Sequence, residues 1–451
     1  MKFRYLLILL ISLSSIAQET PEDYSFSLEE AIQFGLENNY SSINAQKDVE
    51  IALKQKWEII AQGLPQVSAT GDYQNNLNLP VQLLPAEIVG GERGEFIPVT
   101  FGTKHNVNAT ATWNQLIFDG SYIVGIQSAK TLLQISENAK TKTDLEIKKA
   151  VINAYGNVLL AEENVAILQK NVENVQKNYD ETNEIYQNGL AEQEDVEQLE
   201  ITLLNLKNNL SRSRRMRDIA YEMFNLTLGI PVEIPVNLTE ELDTLAMQYF
   251  DLELLQEEIP VEENIDYRIA ANTADSREIE VKLEKSKALP SLSGFLNYGV
   301  QGFSQEFTFF DEDQEYFGQS ILGVSLNIPI FSSGMRNSRT QQKQIAYEQA
   351  MVELEQTENE VKRQINSAKS DYEFSLENYQ AQKKNLELAE RIENKNQIKF
   401  FEGIASSFEL SEAQRQLYQA QQDFLQSMLD VITAKVELEN LLDTRKYNNE
   451  D

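Results

Sequence analysis

From Ile147 onward, apolar or small residues recur at alternating steps of four and three, through Val151, Ala154, Val158, Ala161, Val165, Leu168, Val172 and Val175 to Tyr179, Thr182 and Tyr186. Such steps keep one narrow stripe on the same side of a helix, so this is a heptad seam. Gly189 interrupts it, and a second seam follows at Val196, Leu199, Leu203, Leu206 and Leu210. So short a break predicts a helical hairpin whose seams face each other as an antiparallel coiled coil. The arrangement returns around Gly403, after which Leu410, Ala413, Leu417, Ala420, Phe424, Ser427, Val431, Ala434, Leu438 and Leu441 continue the stripe. The predicted long helices, 121–187 and 335–401, each measure ~100 Å at 1.5 Å per residue. Their returning partners, 192–228 and 405–442, are shorter. Further helical patterns occupy 28–62, opened by Ser27 as N-cap with Glu30 at the third helical position, and 264–288.

The two halves align at a fixed offset. Gly120 pairs with Gly334, Gly189 with Gly403, Asp195 with Glu409, Leu203 with Leu417 and Leu228 with Leu442, all 214 residues apart. Upstream, Pro65 pairs with Pro290 and Tyr73 with Tyr298 at an offset of 225. Any two coiled coils match at some register, but shared Gly and Pro punctuation points to an internal duplication. The expected organisation is a leader over 1–17, a first repeat over 18–229, an acidic joining segment over 230–261, a second repeat over 262–443 and a tail over 444–451.

Each repeat also carries two stretches with a period of two. In 66–79 the odd positions Val67, Ala69, Tyr73, Leu77 and Leu79 are apolar and the even ones polar; in 104–118 Val107, Ala109, Ala111, Trp113 and Ile117 alternate with Lys104, Asn106, Asn108, Thr110, Thr112 and Asn114. The second repeat repeats this with Leu292, Leu296, Tyr298 and Val300, and with Leu322, Val324, Leu326, Ile328 and Ile330. Runs of this length cross a bilayer as tilted strands. They also suit amphipathic hairpins packed on a soluble core.

Composition narrows the chemistry. Gly and Pro are scarce, 19 and 10 in 451 residues, so turns are few and elements long. With no Cys and one His, the chain has no disulfide framework, no Cys-based zinc site and no His-paired metal site. His105, alone at a strand start, reads as a surface residue, and Asp311-Glu312-Asp313 lacks the ligand spacing of a calcium loop. We find no convergent nucleophile, acid-base pair or cofactor loop, so no enzyme, cofactor or metal is expected. A net charge of -32 repels phosphate backbones and makes nucleic acid an improbable partner.

Lys2 and Arg4 precede an apolar run from Tyr5 to Leu13 and a small-x-small site at Ser15-Ile16-Ala17, which reads as an export signal cleaved before Gln18. An exported chain that crosses a membrane without a spanning helix must do so as strands of a closed barrel. Four strands cannot close one, and an open edge in lipid leaves backbone groups unsatisfied. The chain must share its barrel. Three copies supply twelve strands and a circumference wide enough for a wet lumen lined by the polar strand faces.

These features resemble the TolC-like outer-membrane efflux proteins over nearly the whole mature length. The resemblance is carried by the duplicated order of helix, Pro-initiated strand (Leu64-Pro65, Leu289-Pro290), second strand ending Ile117-Phe118-Asp119-Gly120 or Ile330-Phe331-Ser332-Ser333-Gly334, long helix, and the tips Tyr186-Gln187-Asn188-Gly189-Leu190 and Phe400-Phe401-Glu402-Gly403-Ile404. It implies a mainly α fold with a small β portion: a homotrimeric α-barrel continuous with a shared 12-stranded transmembrane β-barrel, four strands per protomer. It further implies residence in the outer membrane of a Gram-negative-type bacterium with a long periplasmic extension. The implied role is an exit duct fed by a periplasmic adaptor and an inner-membrane transporter. A soluble periplasmic coiled-coil scaffold or adaptor protein is the competing reading; it explains the heptads but not the strands. Where the family often places a basic residue two positions past the second tip glycine, this chain has Ala405.

Three groups of residues are the candidates for work. Asp195, Glu409 and Glu412 open the returning helices, where acids also meet the helix N-terminal partial charge; the resemblance implies a periplasmic gate that selects cations. Gly189, Leu190, Gly403, Ile404 and Ser406 form the tips that an adaptor should meet. Tyr73, Trp113 and Tyr298, on outward strand faces, are candidates for anchoring at lipid headgroups. The strand-joining loops 80–103 and 304–318 should lie outside the cell, and the exported substrate is not legible.

Overall fold

The structure, a computed structural model, describes residues 24–256 and 260–442. The expected leader and its cleavage site, and the tail over 444–451, lie outside the described residues. A short strand β1 (Tyr24–Phe26) leads to helix α1 (Leu28–Asn38). Ser27 and Glu30 close the expected capping box, the Ser27 amide donating to the Glu30 carboxylate at 2.8 Å. The helix expected over 28–62 is in fact two. Asn39 adopts an extended backbone (ψ 136°), its side chain donates to the Thr227 carbonyl at 2.7 Å and accepts from the Ser41 amide at 2.7 Å, and α2 (Tyr40–Ala61) starts afresh. An Asn side chain competes well with a helix for backbone partners, which is why the break falls there.

Next come β2 (Gln66–Asn75), β3 (Val81–Pro85), β4 (Phe96–Thr100), β5 (His105–Asp119), α3 (Gly120–Gln187) and α4 (Gln193–Leu228). The joining segment holds β6 (Val236–Leu238) and α5 (Leu242–Gln248). The second repeat supplies α6 (Ile265–Ser286), β7 (Ser291–Ser304), β8 (Tyr316–Asn327), α7 (Met335–Phe401) and α8 (Ser407–Leu442). The fold is thus mainly α with a small β portion, and the long helices stand where the heptads put them. No described helix is long and apolar enough to cross a membrane. The segment expected as one loop over 80–103 contains a hairpin, β3 against β4, beyond the end of β2.

The chain divides into two compact units, each drawing matching parts from both repeats. One comprises Ala45–Lys140 and Ile265–Glu360. It holds a four-stranded antiparallel sheet in the order β2-β5-β7-β8, the two hairpins joined through β5 and β7. Helix pairs continue from the sheet: Tyr122 of α3 donates to the Ile60 carbonyl of α2 at 3.0 Å, and Lys343 of α7 to Glu280 of α6 at 2.7 Å.

The other unit comprises the described parts of Met1–Asn44, Thr141–Asn264 and Val361–Asp451. Its core joins Val151, Tyr155 and Val158 of α3, Phe224 and Leu228 of α4, Tyr372 of α7 and Val431 and Leu438 of α8. Onto these pack Phe26 and Ala31 at the chain start and Val236, Leu245 and Ala246 of the joining segment. β1 and β6 pair in parallel, Tyr24 opposite Val236. α4 ends on Gly229 at φ 81°, with the Ile230 amide bonded back to the Asn225 carbonyl at 2.9 Å. A β-carbon at Gly229 would lie 2.2 Å from the Asn38 carbonyl oxygen, so only glycine fits this crossing.

Candidate functional site

The sheet sorts its side chains as the alternation foresees. Residues directly opposite in an antiparallel pair share a face, and Val67, Trp113, Leu296 and Leu322 stand on one rung across all four strands. The other face carries rungs such as Ser68, Thr112 and Asn297. Every residue of β2 is exposed, and so is all of β8 except Gly323, so neither face rests on a core. That arrangement disfavours hairpins packed on a soluble body. Ile117 is an extra residue at a bulge between Leu116 and Phe118. Apolar residues interrupt the polar face at Leu116, at Ile321 opposite Asn297, and at Phe295, which lies over Gly323, where a β-carbon would come within 2.3 Å of its ring.

Of the three aromatics on the apolar face, Tyr73 sits at the loop end of the sheet, opposite Val107, and Trp113 six residues farther along β5, ~20 Å at the rise of a strand. Tyr298 lies between them, opposite Ala111. His105 is not a surface residue as its isolation led us to expect. It is 8% exposed, its Nδ1 lies 2.8 Å from the Tyr73 hydroxyl, and the two rings stack at 6.0 Å. Phe307 and Phe309 from the β7–β8 loop stand edge-on to Tyr73 at 5.6 and 6.2 Å. The sequence signal for this cluster was the Phe-rich loop, but nothing in the pattern said where that loop folds.

Both helical tips are built alike. Gly189 and Gly403 hold φ of 77° and 72°. The Leu190 amide donates to the Ile185 carbonyl at 3.0 Å and the Ile404 amide to the Lys399 carbonyl at 2.8 Å, the six-to-one bond of a glycine helix stop. Those stops turn apolar residues outward: Leu190 is 81% exposed, Ile404 70% and Phe408, which the sequence reading passed over, 68%.

The acids are placed one by one. Asp195 lies half-buried in the first turn of α4. Glu409 closes a capping box on α8: its carboxylate accepts from the Ser406 amide at 2.9 Å, while the Glu409 amide donates to the Ser406 hydroxyl at 3.3 Å. Ser406 is therefore a helix cap as well as a tip residue. Glu412 accepts from Arg415 Nε at 3.0 Å and from Gln416 at 3.3 Å. The Arg415 guanidinium, with a smaller contribution from Gln416, holds the Glu412 carboxyl below the usual carboxylate range.

Behind the tips the helix interfaces turn polar. Asn178 accepts from Gln397 at 3.1 Å, Asn171 donates to Gln421 at 2.9 Å, and the hydroxyls of Thr202 and Ser411 lie 2.8 Å apart. Gln414 is buried, and Glu393 beside it has its carboxyl pushed up by burial, partly opposed by a hydrogen bond from Gln414. Polar layers specify register at a cost in stability, and heptad counting reads them only as gaps in the apolar stripe.

The sequence model of a family described as outer membrane efflux protein matches residues 35–229 and 261–444. Over 330 residues the chain is 19% identical to the alkaline protease secretion protein AprF of Pseudomonas aeruginosa, covering 72% of this chain and 67% of that protein. Among solved structures it is similar to CusC, with TM-score 0.73, 18% identity and 95% of each chain covered. It is also similar to the open state of the Neisseria gonorrhoeae MtrE outer membrane channel, with TM-score 0.70 and 19% identity over 92% of this chain and 88% of that one.

Proposed function

The chain belongs to the outer membrane efflux protein family, and from that premise we propose a homotrimer whose three four-stranded sheets close one 12-stranded barrel continuous with a helical tunnel. As a member of the family it is an outer-membrane exit duct of an efflux or secretion system. The observation that carries the trimer is the sheet itself: one apolar and one polar face, with the edge strands β2 and β8 exposed and without outer partners among the described residues. In lipid those edges demand strands from other copies.

In this reading the apolar face with Tyr73, Trp113 and Tyr298 meets lipid, and the polar face lines the lumen. The repeats over 18–229 and 262–443 run into the periplasm, with the joining segment over 230–261 around the tunnel's waist. The tips at Gly189, Leu190, Gly403, Ile404 and Ser406 dock a periplasmic adaptor, which links the duct to an inner-membrane transporter. Asp195, Glu409 and Glu412 ring the narrow periplasmic end, where carboxylates favour cations. Conduction is passive and has no chemical step. Membrane fractionation followed by native mass spectrometry in detergent tests the assembly. Trimers extracted from the outer-membrane fraction are expected; stable monomers in detergent would sink it.

A further inference from the structure

The duplication fixes more than the order of elements, because the two hairpins of the sheet superpose residue for residue. In the first, Gln66 pairs with Asn114 and Tyr73 with Val107; in the second, Ser291 pairs with Asn327 and Tyr298 with Ser320. First strands are therefore related by 225 residues and second strands by 213, an offset that also brings Ile117 onto Ile330 and Phe118 onto Phe331. One more residue follows in the second repeat, at Ser332-Ser333. Ser333 is the one described non-glycine residue with positive φ, 49°.

Between the hairpins runs the β5·β7 ladder, which joins the second strand of one repeat to the first strand of the next. The free edge of β8 is again a second strand, and the free edge of β2 again a first. We propose that β8 of one copy pairs antiparallel with β2 of the next in the register of the β5·β7 ladder: Val324 opposite Tyr73, Leu326 opposite Gly71, Ile328 opposite Ala69, and Phe331 opposite Val67. The inference rests on the homotrimer reading and specifies its seam.

Three observations support the transferred register. From Val324 to Ile328 it keeps the polar residues together, Ser325 with Asp72 and Asn327 with Thr70, and the apolar face together, with Leu322 opposite Asn75 as the exception, where a shift by one residue would mix the faces throughout. It reproduces a pairing already present, since Ala111 opposite Tyr298 becomes Val324 opposite Tyr73. It also accounts for a difference between the repeats. β5, backed by β7, stays in strand form to Asp119, past its bulge at Ile117. β8, paired on one edge with β7 and only as far as Asn327, ends there, leaving Ile330 88% and Phe331 85% exposed. Against β2 of the next copy, the strand runs on through Phe331, with Ile330 as its bulge.

The chain has no cysteine, so paired cysteines report the seam without background. The pairs Asn327→Cys with Thr70→Cys and Ser325→Cys with Asp72→Cys lie on the polar face, clear of lipid. Shifted pairs, Ser325→Cys with Thr70→Cys and Asn327→Cys with Asp72→Cys, serve as controls. Oxidised membranes are run on denaturing gels without reductant. The in-register pairs should give reductant-sensitive linked trimers at least ~10-fold more abundantly than the shifted pairs, because bridging needs Cα atoms within about 7 Å. Stronger linking by a shifted pair overturns the register while leaving the edges as the seam. Absence of intermolecular links in either set, with trimers intact by native mass spectrometry, overturns the β8–β2 seam. Monomers alone in detergent overturn the homotrimer reading itself.

Discussion

Glu412 and Arg415 are bound to each other on the first turns of α8, the guanidinium Nε 3.0 Å from a carboxylate oxygen. One of the acids assigned to the gate is therefore neutralised within its own helix, which leaves Glu409 as the less compensated charge near the second tip. In planar bilayers Arg415→Gln should increase the preference for monovalent cations over anions. The double variant Glu409→Gln with Glu412→Gln should weaken both that preference and block by multivalent cations, with trimer yield unchanged. Selectivity indifferent to all three substitutions would leave capping and helix pairing as the whole role of these acids.

The same pair sets a pH dependence. A carboxyl whose pKa is lowered stays ionised as the pH falls through the usual carboxylate range, and loses its charge only below it. In Arg415→Gln the larger part of the lowering is removed and the Gln416 contribution stays, so cation preference should decline at a higher pH than in the parent. Conductance reversal potentials between pH 6 and pH 3 measure this; coincident profiles would mean that Glu412 does not face the conducted ions.

Glu393 carries the opposite sign. Burial raises its carboxyl pKa, so the folded state is favoured by protonation and that contribution is lost as the pH rises through the raised value. Glu393→Gln keeps a neutral side chain at every pH. It should raise thermal stability at pH 7 and flatten the fall in stability as the pH rises above the ordinary carboxylate range, measured by circular dichroism melts.

Gly229 and Gly403 share a left-handed backbone but differ in their surroundings. At Gly403 a β-carbon would meet nothing within 4 Å, whereas at Gly229 it would strike the Asn38 carbonyl. Gly403→Ala should therefore cost only the left-handed penalty of ~1–2 kcal/mol, and Gly229→Ala distinctly more, seen as a larger fall in Tm. Bulky charged substitutions at Gly189 or Gly403 should abolish export while trimers persist. Loss of the trimer would mean that these glycines serve folding alone.

How far the pattern of residues carried can be judged from where it stopped. The boundaries 335–401 and 228 were legible because a heptad stripe and a glycine stop are local signals, each set by backbone geometry and side-chain spacing. Asn39 was not, since its break depends on the Thr227 carbonyl, 188 residues away. His105 was misplaced for a similar reason: burial comes from Tyr73 and Phe307, brought over it by strand pairing and a loop fold. At the candidate gate, Glu409 and Glu412 looked equivalent three residues apart. Ser406 and Arg415 make one a cap and the other half of an ion pair.

The strand faces give the last prediction. Leu326 stands on the apolar face of β8 and Asn327 on the polar one, opposite Leu292 and Ser291 respectively. A carboxylate turned toward hydrocarbon costs on the order of 2 kcal/mol, depending on depth, while one turned toward a wet lumen costs little. Leu326→Asp should therefore reduce the yield of assembled trimer in outer-membrane fractions several-fold, and Asn327→Asp should leave it near the parent level. Equal tolerance at the two positions would reverse the assignment of the faces, and with it the placing of Tyr73, Trp113 and Tyr298 at lipid headgroups.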